Sequence, residues 1–171
     1  MNSCTKSGQN TVAGLLVAAV LVATPAMAQQ PADTAYRAMQ LRGQQTMGVD
    51  QTTSSHGFES LPDGGRIVLV RNVDDSAGVA RIRAHLHDMR RAFGAGDFSM
   101  PMFIHMKTVP GVAVMAARHS LITYTESDLP HGGALRITTT DSVALSAIHQ
   151  FLAFQRTEHH AGAVPSAGAT P

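Results

Sequence analysis

Two parts of the chain share one order of hydrophobic and polar patterns, and each predicts two strands followed by a helix. In the first part a weakly apolar run at 51–59 and a β-branched run at 66–71 flank a turn at 61–65. Apolar residues then recur every three or four positions from Asp75 to about Phe93, which predicts a helix. Its expected buried stripe is Val79, Ile82, Leu86, Met89 and Phe93.

The second part repeats this plan. Residues 120–126 alternate as a strand, residues 134–139 predict the returning strand, and Asp141 predicts the cap of a helix that runs to about His159. The turn Leu-Pro-His-Gly-Gly at 129–133 matches Leu-Pro-Asp-Gly-Gly in the first part, 68 residues earlier. The expected stripe of the second helix is Ala144, Ile148, Phe151, Leu152 and Gln155.

These patterns predict an α+β fold. Two hairpin-helix (ββα) repeats would form one four-stranded antiparallel sheet with two helices packed on one face. The expected single domain covers 51–160. A loosely attached N-terminal arm at 29–50, with a short helix at about 33–41, would precede it, and a disordered tail at 161–171 would follow.

The N-terminus has the pattern of a secretory signal peptide. Lys6 precedes an apolar run at 11–23, and Ala26-Met27-Ala28 supplies a small-x-small cleavage site. Cleavage after Ala28 would leave 143 residues in the periplasm or outside the cell. The apolar run is too short to span a bilayer, which argues against a stable membrane anchor.

Composition narrows the chemistry of the mature chain. Removing 1–28 takes away Cys4, the only cysteine, so thiolate chemistry is excluded. It also removes one lysine and no acid, which leaves twelve basic and twelve acidic side chains and argues against nucleic-acid binding. Nine histidines remain beside a single lysine, Lys107. In an exported chain this enrichment favours a metal-binding hypothesis.

A segment rich in methionine joins the two parts. Residues 96–106 contain Met100, Met102, His105 and Met106, and thioether and imidazole are ligands of soft or borderline metals. If the segment is extended, the last two methionines face away from His105. We therefore expect the methionines to fill the core and His105 to face a cleft.

The helical patterns also give positions for several histidines. His85 and His149 flank the apolar stripes of the first and second helices, so we expect them to occupy similar places in the two repeats and to approach each other. His159 falls on the second stripe. A single flanking histidine is more often a hydrogen-bonded packing residue than a ligand, and that alternative stays open.

Five short motifs give the chain a resemblance to a family of small secreted bacterial proteins of unassigned function. They are Thr53-x-x-His56-x-Phe58, Ile82-Arg-x-His85-Leu86, Gly96-Asp97-Phe98-x-x-Pro101, Ile104-His105 and Ala147-Ile148-His149-x-Phe151. The resemblance covers about 44–159. It implies that His56, His85, His105 and His149 belong to the family's pattern, and that His159, after Glu158, matches a frequent Asp-His motif.

Members of that family are sometimes labelled aspartate carbamoyltransferase, and the residues argue against this activity. Such a transferase resembles a much longer two-domain protein with a Ser-x-Arg-Thr-Arg loop, and this chain has neither feature. The motifs of common hydrolases, zinc proteases, P-loop enzymes and dinucleotide-binding enzymes are also missing from the sequence.

The leading hypothesis is an exported protein that binds a transition metal, copper first and zinc second. The expected ligands are His56, His85, His105, His149 and His159. One alternative is a small-molecule or protein interaction module with structural histidines, and another is a small enzyme with a histidine base. The oligomeric state stays open.

Overall fold

The computed structural model describes Met1 and residues 31–162. The expected signal peptide at 1–28 and most of the expected tail at 161–171 lie outside the described residues, so both stay predictions. Among the helices that are described, we find none with the length and apolar character needed to cross a membrane.

The described chain contains nine longer elements and two short 3-10 helices, at Gln51–Thr53 and His119–Leu121. The elements are α1 Pro31–Met47, β1 Ser54–Leu61, β2 Gly64–Arg71, α2 Ser76–Gly94, α3 Ser99–His105, α4 Val112–Ala117, β3 Ile122–Leu129, β4 Gly132–Thr139 and α5 Ser142–Glu158.

The four strands form one antiparallel sheet in the order β1-β2-β4-β3, which confirms the predicted α+β fold. In the central pair, Ile67 of β2 lies opposite Leu135 of β4. These two residues are 68 positions apart, the same spacing that separates the two turns. A pseudo-twofold axis therefore passes between them and relates the strands of the first repeat to those of the second.

Helices α2 and α5 pack on the same face of the sheet because glycines there leave space for them. A Cβ on Gly65 would lie 2.1 Å from Cδ1 of Leu152, and a Cβ on Gly133 would lie 2.7 Å from Cδ1 of Leu86. These glycines are again 68 positions apart. The repeated turn motif therefore fixes how closely each helix approaches the sheet.

Both helices begin as the sequence predicts. The side chain of Asp75 accepts a hydrogen bond from the amide of Gly78, and Asp141 accepts one from the amide of Ala144. Every residue of the two predicted stripes is buried. The caps lie 66 positions apart rather than 68, because the link from β4 to α5 is two residues shorter than the link from β2 to α2.

The connecting segment is helical over Ser99–His105 and not extended. The side chain of Asp97 accepts a hydrogen bond from the amide of Ser99 at 2.8 Å, and Pro101 lies in the first turn of α3, where no amide hydrogen is needed. A helical period exposes Met102 (48%) and Met106 (68%), which contradicts their expected core positions, whereas His105 is buried. Met100 packs partly buried against the core.

The arm expected to be loose is the 17-residue helix α1. It packs against α3 and buries Met39 and Met47. Its Arg42 donates from Nε to the carbonyl oxygen of Ile104 at 2.7 Å. Helix α1 therefore covers one end of the domain.

His149 does not meet His85 near the axis. Its Nε2 lies 2.9 Å from the carbonyl oxygen of Leu61 and 3.0 Å from that of Gly64, at the turn between β1 and β2. Because both partners only accept hydrogen bonds, Nε2 carries the proton. This nitrogen stabilises the first turn.

Arg83 does the same at the second turn, where it donates to the carbonyl oxygens of Gly132 and Leu129 at 3.0 and 2.8 Å. Arg83 precedes His149 by 66 positions, the spacing of the helix caps. The counterpart of His149 is thus Arg83 and not His85, and the expected pairing of these two histidines is wrong. The shorter link before α5 shifts the helix register by two residues.

We predict that His149→Ala lowers the free energy of unfolding by about 1–3 kcal/mol, because two turn carbonyls lose their donor. His149→Arg should recover part of that loss, since Arg83 binds the equivalent turn. Urea unfolding at neutral pH measures both changes.

The control is His131→Ala, which removes an exposed imidazole and should change stability by less than about 0.5 kcal/mol. Equal stability of His149→Ala and the unmodified protein would contradict the turn-stabilising role.

Candidate functional site

A partly open cavity of about 60 Å³ lies between the helical face of the sheet and helices α1, α2, α3 and α5. Its polar wall consists of His56, His85, Gln155 and His159. The rest of the wall is mostly apolar and includes Met47, Phe58, Leu69, Met89, Phe93, Met100, Ile104 and Phe151.

Three imidazole rings form a contiguous cluster, in which His56 and His159 line this cavity and His105 packs against His159. The ring of His159 is central, with its centroid 5.1 Å from that of His56 and 5.2 Å from that of His105. The planes cross at 77° and 90°, so the rings meet edge to face. His85 also faces the cavity, from α2.

Local structure explains why these side chains meet. His56 lies on β1 opposite Leu69, two positions before Phe58 on the face that packs against the helices. His159 is the C-cap residue of α5, and His105 is the last residue of α3. Two helix ends thus meet above the outer strand of the first repeat.

Three ring nitrogens of this cluster are buried without a hydrogen-bond partner among the described residues. They are Nε2 of His56, Nδ1 of His105 and Nδ1 of His159. His56 and His159 keep part of their surface exposed, but these atoms do not. A buried polar atom without a partner costs about 1–3 kcal/mol, and Nε2 of the neighbouring Gln155 is a further such atom.

Gln155 sets the tautomer of His105. The side-chain oxygen of Gln155 lies 3.0 Å from Nε2 of His105 and accepts a hydrogen bond from it, which in the neutral ring leaves a lone pair on Nδ1. Glu158 lies 3.8 Å from that Nδ1 and also binds Lys107 at 2.7 Å. His105 is therefore a neutral imidazole whose free nitrogen is oriented by its neighbour.

Burial keeps the cluster neutral. It lowers the pKa of His56 and of His85 from 6.5 to about 4. It lowers the pKa of His159 to about 3, helped by the neighbouring imidazoles, and it also lowers the pKa of His105. At pH 7 these rings are unprotonated, which is the form that binds metals.

The pseudo-twofold axis relates this cluster to a plain aromatic core. By the spacings of 68 for strands and 66 for helices, the counterparts of His56, His85 and His159 are Tyr124, Phe151 and Phe93. The ring of Phe93 packs edge to face on the other two at 5.9 and 6.1 Å. The same positions in the other half are thus filled by aromatic rings, and the hydroxyl of Tyr124 there is also buried without a hydrogen-bond partner among the described residues.

The described residues do not form a complete metal site of the common kind. No three histidine, cysteine, aspartate or glutamate side chains among them stand in position to hold one ion. The ring separations of 5.1 and 5.2 Å lie within the usual range of edge-to-face ring packing.

Four of the five predicted site residues come together, and His149 stands apart. Its turn contact at Leu61 lies five residues, or about 17 Å, along β1 from His56. Sequence reasoning missed Gln155 as a partner of His105, and it missed Met47 because α1 was expected to be loose. The spacing of Met39 and Met47 along α1 is the signal that identifies a packed helix.

Comparisons with known proteins identify no relatives for this fold and cluster. No protein-family model, curated protein or solved structure matches the chain. The resemblance to small secreted bacterial proteins stays a prediction, and the functional argument rests on the residues of the cluster.

We predict that acid destabilises this protein through its buried histidines. In the unfolded chain these rings bind protons near pH 6.5, whereas folded His56 and His85 bind them only near pH 4. The free energy of unfolding therefore falls as the pH drops from about 6.5 towards 4, by on the order of 3 kcal/mol for each. Urea unfolding between about pH 7.5 and about pH 4.5 measures the loss.

The matched variant is His85→Phe, which copies Phe151 of the second repeat. It should fold, and it should lose less stability over that pH range. Identical pH dependence in the variant and the unmodified protein would contradict the role of His85.

Proposed function

We propose that the mature chain is a periplasmic or secreted binding protein for a transition-metal ion, copper first and zinc second. The ligands in this proposal are His56, His105 and His159, with His85 beside them. One observation carries it: three adjacent imidazoles each hold a buried ring nitrogen without a partner in the described chain.

The protonation state of the cluster supports this function. A metal must displace any proton from an imidazole nitrogen, so a low pKa removes that competition at neutral pH. Burial lowers the pKa of His56 to about 4 and that of His159 to about 3. The imidazole chemistry suits both copper and zinc.

Gln155 supports the same proposal as a positioning residue. Metal-binding histidines commonly donate their second nitrogen to an oxygen acceptor, which fixes the ring and its tautomer. The bond from Nε2 of His105 to Gln155 has this form and leaves Nδ1 free for an ion.

The size of the cavity favours an ion over an organic molecule. A volume of about 60 Å³ is far below the roughly 300–1,000 Å³ of drug-sized ligand sites. A surface cleft of about 230 Å³, lined in part by Tyr36, Ser55, His56 and His159, gives an ion a path from solvent to the cluster.

We predict that the purified mature protein binds copper, as Cu(I) or Cu(II), or Zn(II) with a dissociation constant below one micromolar. His56→Tyr and His159→Phe should each weaken binding by at least about 100-fold, because each removes a ligand. Both substitutions copy the second half of the fold and should leave the protein folded, so metal titration and circular dichroism separate binding from folding.

The control for this titration is His149→Arg, which keeps the turn contact and should bind metal like the unmodified protein. Binding weaker than micromolar in the unmodified protein would overturn the proposal, as would unchanged binding in a His56→Tyr/His105→Leu/His159→Phe protein.

We also predict that Gln155→Leu weakens metal binding by roughly 10–100-fold, because His105 loses the acceptor that fixes its tautomer. The metal affinity should fall by this factor while the circular dichroism spectrum stays that of the folded protein. An unchanged affinity would show that His105 is not oriented by Gln155 when metal is bound.

A further inference from the structure

Three methionines line the same cavity as the histidines. Met47 is the last residue of α1, Met89 lies on α2 and Met100 lies on α3, so three separate elements each contribute a methionine to its wall. Met89 follows His85 by four positions, one turn along α2.

Methionine often serves only to fill gaps in a core, and this chain uses it that way elsewhere. Met115 is fully buried in the core but does not line the cavity. The methionines of the cavity differ from Met115 because they line a space whose polar wall consists of three imidazoles and the amide of Gln155.

The charge of the wall limits which ion the cavity can hold. Along the part that residues 31–162 supply, the wall has no aspartate, glutamate, lysine or arginine. The free energy needed to remove an ion from water rises with the square of its charge, so it is about four times larger for a divalent ion than for a monovalent one. Neutral imidazoles and thioethers offer no negative charge to offset it.

We propose that this cavity is a Cu(I) site with mixed imidazole and thioether ligation. Of the imidazoles in the proposed site, His56 and His159 line this cavity, and the neighbouring His85 with Met47, Met89 and Met100 completes the ligand set. Thioethers are soft ligands that select Cu(I), and a monovalent ion suits a wall without acids. This inference rests on the proposed metal-binding function and names the ion and its oxidation state.

The experiment measures the affinities of three proteins for three metal ions. Anaerobic competition against a Cu(I)-specific chelator gives the Cu(I) affinity, and dye competition gives those for Cu(II) and Zn(II). The proteins are the unmodified mature chain, the Met47→Leu/Met89→Leu/Met100→Leu variant, and the Met115→Leu control, which exchanges a buried methionine outside the cavity.

We expect Cu(I) to bind most tightly to the unmodified protein and to the control. The triple variant should lose at least about tenfold in Cu(I) affinity while its Zn(II) affinity changes little, because leucine keeps the volume but not the donor. Copper X-ray absorption of the unmodified protein should show sulfur in the ligand shell, a result that needs no variant to fold.

Two results would overturn this inference and leave the proposed function standing. One is an unchanged Cu(I) affinity in the triple variant, and the other is a copper ligand shell that contains nitrogen alone. In either case the His159→Phe variant would still lose metal binding. Failure of the unmodified protein to bind any of the three ions would instead remove the proposed function itself.

Discussion

The pairing of β2 with β4 is the constraint on which the rest of the structure depends. It sets Ile67 opposite Leu135 and so creates the pseudo-twofold axis. Each hairpin turn carries a glycine that leaves space for a helix. Arg83 of α2 then donates hydrogen bonds to the second turn, and His149 of α5 donates to the first. The register between β2 and β4 therefore fixes the positions of the helices and the turns.

The candidate site lies where equivalent positions of the two halves carry different side chains. The half around Phe93, Tyr124 and Phe151 packs aromatic rings in the ordinary way. The other half places His56, His85 and His159 at the same positions, and it gains His105 from a connecting helix. Imidazoles at these positions add ring nitrogens to the core, and two of them, Nε2 of His56 and Nδ1 of His159, have no partner within the described chain, as is also true of Nδ1 of His105.

Much of the fold was predictable because its signals are local. The turn glycines, the caps at Asp75 and Asp141 and the apolar stripes each act within a few residues, and the structure confirms them. Helix α3 was not predicted from the sequence, and its Pro101 lies in the first helical turn, where proline is well tolerated.

The sequence by itself determined the α+β class, the two repeats and most histidines of the cluster. Only the tertiary structure decided which histidines meet. His56 and His159 are 103 positions apart in the sequence, and their contact depends on the order of the strands and on where α5 ends. A shift of two residues in the link before α5 sent His149 to a turn, and the docking of α1 brought Met47 to the cavity. Periodicity assigns a side chain to a face of its own element, but distances between elements follow from packing.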